Sequence, residues 1–128
     1  MDIRLYFAWI GTAFGEFLGA MDSFLYALIM FMVVEYSTGL LCCIIGKRPF
    51  CNSGFKALFR KITILCLVGI TNILDRKIFE TGTVMRTSII LFYLSNEGIS
   101  ILENAICMGV PVPKKIRQMI AQLQRRQS

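Results

Sequence analysis

The sequence predicts an all-α integral membrane protein of four hydrophobic helices with a short amphipathic tail helix, and three observations predict it. Hydrophobic residues make up 55% of the 128-residue chain and charged residues 17%, too apolar a balance for a soluble domain that must cover its core with a polar shell. Long apolar runs follow one another with only short polar breaks. The basic residues behind the net charge of +6 gather in two acid-free clusters beside apolar runs, the pattern of cytoplasmic loops facing anionic lipid.

The apolar segments run from 5 to 21, 23 to 45, 62 to 79 and 84 to 109. In the first, Ala8, Gly11, Thr12, Gly15, Glu16 and Gly19 wind onto one side of a helix, with Tyr6, Phe7, Trp9, Ile10, Phe14, Phe17 and Leu18 on the other. Such a helix can cross the bilayer or lie on it. The Gly11, Gly15, Gly19 repeat is a close-packing pattern of membrane helices, and the polar face lacks the lysines of an interfacial helix, so crossing is favoured. The N-terminus lacks a basic leader and is expected to be retained.

The second segment carries one charge, Glu35, and covers ~34 Å, enough for a hydrocarbon core of about 30 Å. The third is short before Asp75 and Arg76 and needs flanking residues from Phe55 to Phe59 or Ile78 and Phe79, with Lys61 and Arg76 snorkelling outward. Segments two to four are expected to span, with the first as a fourth crossing. Pro111 and Pro113 end the last segment, and Ile116, Met119, Ile120 and Leu123 then recur at helical spacing. The chain thus divides into a transmembrane domain, 1–110, and a basic cytoplasmic tail, 111–128. Lys47 and Arg48 in one loop and Lys114, Lys115 and Arg117 in the tail are the membrane-surface cations. Both basic stretches are expected on the cytoplasmic side, and a spanning first helix places the N-terminus there too.

Polar residues inside the spans carry the functional information. On the fourth segment Arg86, Tyr93, Asn96, Glu97, Ser100, Glu103 and Asn104 fall within roughly a 120° arc. Each charge facing lipid at mid-membrane costs ~2.5–3.5 kcal/mol, so the stripe must meet protein or water. Three readings compete: packing glue between helices of one or several subunits, the lining of an aqueous lesion in a homo-oligomer, and a proton or cation relay through Glu35, Glu97 and Glu103. Glu35 and Asp75 are the candidate intramembrane acids. Partners for Glu35 are expected among Asn72, Asn96 and Arg86, and Thr71, Asn72 and Asp75 share a face of the third segment.

No histidine is present, and there is no nucleophile elbow, phosphate loop or metal-ligand spacing. No enzyme activity, metal or cofactor is expected. The cysteines form no CxxC pair and are read as reduced and structural, and the basic clusters, without interleaved aromatics, do not suit nucleic acid.

The run Ser95-Asn96-Glu97-Gly98-Ile99-Ser100-Ile101-Leu102-Glu103-Asn104, followed by Met108-Gly109-Val110-Pro111-Val112-Pro113-Lys114-Lys115, resembles the bacteriophage holin family that includes toxin-secretion and phage-lysis holins. Glu35-Tyr36-Ser37-Thr38-Gly39 is similar to that family's acid-Tyr-x-Thr-Gly stretch, with glutamate where aspartate is usual. Gly54-Phe55-Lys56 and Asn72-Ile73-Leu74-Asp75 match further landmarks in the right order. The resemblance implies a protein of the bacterial cytoplasmic membrane that homo-oligomerises and opens lesions for a cell-wall hydrolase or an exported toxin. It assigns no catalytic residues. A small ion channel or transporter using its intramembrane carboxylates is the alternative, and a non-conducting assembly subunit a third.

Overall fold

The structure, a computed structural model, describes residues 2–45 and 51–127, apart from the side chains of 51–53, 124 and 127. Lys47 and Arg48 lie outside the described residues. Five helices follow in order, with no strand among the described residues: α1 (Ile3–Leu18), α2 (Ser23–Ile44), α3 (Cys51–Ile73), α4 (Val84–Cys107) and α5 (Lys114–Gln127). α3 runs on into a wider π-helical turn, Leu74–Ile78, closed by a Phe79 N–H to Leu74 C=O bond of 2.9 Å.

α3 draws on flanking residues at both ends, as its short apolar run required. The apolar run begins only at Ile62, yet the helix starts at Cys51, so the lipid-length element is Gly54–Ile78. Nothing between Gly54 and Ile73 breaks a helix, and a polar first turn does not stop one. Two helices are long and apolar enough to cross a membrane, Ser23–Ile44 and Gly54–Ile78. α1 has 16 residues, and α4 carries Arg86, Glu97 and Glu103.

α4 is the central element, packing along α2 and α3, while α1 meets α3. Leu18, Leu25, Leu28, Met32, Ile64, Val68 and Ile90 form the apolar core. α1 contributes only its end: Leu18 is buried, whereas Phe7 and Trp9 are over 70% exposed. Gly11 and Gly15 have open space where a Cβ would stand. Gly19 does not. Its φ is +94°, and a Cβ would meet Asn72 Oδ1 at 2.7 Å and Arg86 Nε at 2.9 Å. At Gly69 a Cβ would overlap the Phe17 ring, so this glycine is what lets α1 reach α3. Cys42, Cys43, Cys66 and Cys107 are unbridged thiols.

Candidate functional site: two polar layers and a cleft

Helix ends leave backbone groups unpaired, and here buried side chains take them up. α4 starts at Val84 with Thr83 making no side-chain cap. Asp75 serves instead from the preceding turn. Its carboxylate accepts the N–H groups of Met85 at 3.1 Å and Arg86 at 2.8 Å, plus the Thr81 hydroxyl at 2.6 Å, and Asp75 is wholly buried.

Arg86, 1% exposed, answers the opposite problem at the C-terminal end of α1. Its Nε donates to the Leu18 carbonyl at 2.8 Å and its Nη2 to the Ala20 carbonyl at 2.7 Å. Asn72 Nδ2 donates to the Phe17 carbonyl at 3.2 Å. A cation at a helix C-terminus also suits the helix dipole. Arg86 Nη1 completes the group by pairing with Asp22 at 2.8 Å, while Asp22 caps α2 through the Leu25 N–H at 2.9 Å. Partial burial would raise the Asp22 pKa, but the Leu25 N–H and the Arg86 guanidinium outweigh it and hold the carboxyl below its ordinary value.

A second layer lies further along the helices. Counted at 1.5 Å per residue, Asp22 to Glu35, Asp75 to Lys61 and Arg86 to Glu97 each cover about 17–21 Å. The three helices therefore bring Glu35, Lys61 and Glu97 to a common depth. Lys61 Nζ reaches Glu97 at 2.9 and 3.1 Å and Glu35 at 2.5 Å. One lysine thus serves two acids. Below it, Asn104 Nδ2 donates to the Thr38 hydroxyl at 2.9 Å and the Glu35 carbonyl at 3.1 Å, and the Cys42 thiol donates to the Asn104 carbonyl at 3.4 Å.

These pairs correct two expectations. Glu35 meets Lys61; Asn72 and Arg86 are engaged at the first layer, and Asn96 lines an open cleft beside α4. Lys61 turns inward instead of snorkelling, because two acids at its own depth offer a stronger partner than water at the end of a long stem. Asp22, Thr38 and Arg60 were not among the expected site residues. A signal for Lys61 was present: two mid-helix acids require a cation, and counting down from Asp75 reaches it.

The α4 stripe divides in two. Arg86, Glu97 and Asn104 are buried with partners from the same chain. Tyr93, Asn96, Ser100 and Glu103 line an open cleft of about 680 Å³ against Arg60, Thr63 and Leu67 of α3, with Glu97 at its edge and Leu123 of α5 across it. In the tail, Ile120 is buried and Lys114, Lys115 and Arg117 are exposed. No group of His, Cys, Asp and Glu that could hold a metal occurs among the described residues.

Two lipid-length apolar helices whose acids Glu35 and Asp75 are engaged inside the bundle define a helical membrane protein. The chain belongs to the bacteriophage holin family, whose pattern matches residues 12–125. It is 40% identical to an uncharacterised 14.9 kDa protein encoded in the nagH 3′ region of Clostridium perfringens, over 89% of this chain and 86% of that one. A second uncharacterised protein, from C. perfringens strain 13, is 36% identical over 94% and 90% of the two chains. One from Listeria innocua is 39% identical over 86% and 78%. No solved structure matches.

Proposed function

We propose that this holin-like membrane protein homo-oligomerises in the bacterial cytoplasmic membrane and opens lesions that release a cell-wall hydrolase or an exported toxin. In this reading α1 to α4 all cross the bilayer, both termini are cytoplasmic, and no catalysis is involved. The observation that carries it is the cleft beside α4. Tyr93, Asn96 and Ser100 form a polar surface along α4, beside Arg86, Glu97 and Asn104, which are buried and paired within the chain. A surface of that kind cannot rest against acyl chains, so it needs a neighbouring subunit or water.

The alternative, steady ion transport through Glu35 and Glu97, is less well supported because Lys61 already occupies the space between the two carboxylates. Expression in bacteria with a membrane-impermeant dye tests the proposal. The parent should admit dye and release a co-expressed endolysin at a defined time, and Asn96→Leu with Ser100→Leu should shift that time while the protein still accumulates. Unchanged timing in the double variant would remove the cleft's role. Ion flux without passage of large solutes would favour the transporter.

A further inference from the structure

We propose that Lys56 and Arg60 form a binding site for the phosphate of an anionic phospholipid headgroup, in the groove where the first turns of α3 meet α2. The groove is lined by Glu35, Lys56, Ala57, Arg60 and Lys61, three cations against one carboxylate. Glu35 and Glu97 both turn to Lys61, and neither contacts Lys56 or Arg60. Lys56 and Arg60 stand one turn apart on the same face of α3, where like charges repel. Neither forms an ion pair among the described residues. Two adjacent cations at the rim of a low-dielectric bundle call for an external anion, and an arginine fork beside a lysine fits a phosphate. Ala57, one residue from Lys56, leaves the room.

The adjoining face says which phosphate. Phe55, Phe59 and Ile62 recur at helical spacing and are 66%, 65% and 50% exposed. A free phosphate has no use for them, whereas a phospholipid lays its acyl chains along such a face while its headgroup meets the cations. This basic pocket lies between spans, whereas the tail cations Lys114, Lys115 and Arg117 are exposed.

The full-length protein purified in mild detergent can be examined by native mass spectrometry with three probes: phosphatidylglycerol, phosphatidylcholine of the same chains, and inorganic phosphate. A lysine or arginine near a headgroup contributes about fivefold in affinity, so Lys56→Gln with Arg60→Gln should weaken phosphatidylglycerol retention roughly 25-fold. Lys114→Gln with Lys115→Gln should leave it nearly unchanged, and Lys56→Arg with Arg60→Lys should preserve it. Retention in the Gln double variant equal to the parent overturns the site. Equal retention of phosphatidylcholine, equal loss in the tail variant, or displacement by equimolar inorganic phosphate does so as well. The measurement requires no lesion, so its failure and failure of the lesion proposal are separable.

Discussion

Arg86 and Lys61 both lie inside the bundle, about 20 Å apart in depth, and they are satisfied differently. Arg86 divides its donors between two backbone carbonyls and Asp22, each at 2.7–2.8 Å. The acids of that layer also spend their lone pairs on backbone N–H groups, Asp75 on α4 and Asp22 on α2. The layer is built from helix ends, and moving any member exposes orphan backbone groups. Lys61 has only side-chain partners, and two acids compete for it. The first arrangement fixes geometry; the second shares one lysine between two acids at the level where both polar grooves open. A bundle that must stay folded yet change its assembly can keep the first layer and rearrange the second.

The largest effect should come from breaking the first layer. Arg86→Met leaves Asp22 and two backbone carbonyls without their donor, and each orphaned buried acceptor costs about 1–3 kcal/mol. Thermal unfolding in detergent should show that loss, or the variant should fail to accumulate in membranes. Lys61→Met should cost less, about 1–3 kcal/mol, because the cluster is nearer to water. Neutralising the whole set as Lys61→Met with Glu35→Gln and Glu97→Gln should recover most of it. Equal losses for Arg86→Met and Lys61→Met would erase the contrast between the layers.

Gly69→Ala tests the join of α1 to α3. Its methyl group enters the Phe17 ring position, and overpacking of this kind costs about 1–3 kcal/mol. Adding Phe17→Ala should relieve the clash, making the double variant better than the sum of its parts.

The smallest effect is acid-dependent. The Asp22 carboxyl has a folded-state pKa held below its ordinary value by the Leu25 N–H and Arg86 against the opposing effect of partial burial. Its contribution is complete above the unfolded value near 3.8 and disappears as pH falls through the lowered folded value. Stability should therefore decline below about pH 4, and Asp22→Asn should flatten that part of the profile.

Much of this was legible in the sequence. Helical periodicity placed Arg86, Glu97 and Asn104 on one face of the last apolar segment, and those three residues are buried and paired. Thr71, Asn72 and Asp75 share a face and are all buried. What could not be read depended on positions distant in the chain. Asp75 caps a helix whose partner residues lie 10 and 11 positions on, beyond any local capping pattern. Phe17 over Gly69 joins two helices across the whole of α2. Lys61 looked like a boundary lysine because hydropathy sees one segment at a time, whereas its inward turn follows from acids on two other helices. The i, i+4, i+8 glycine pattern was visible, but within one chain only Gly19 meets a neighbour, since pattern alone does not say what covers a face.

The central claim is that α4 turns one part of its polar stripe into its own chain and offers the other to neighbours or water. In an active variant lacking the native cysteines, Ser100→Cys and Asn104→Cys can be exposed in intact membranes to a charged, membrane-impermeant thiol reagent as dye entry begins. Labelling of Ser100→Cys with protection of Asn104→Cys is the predicted result. Equal labelling at the two positions, or labelling of Asn104→Cys alone, would contradict it.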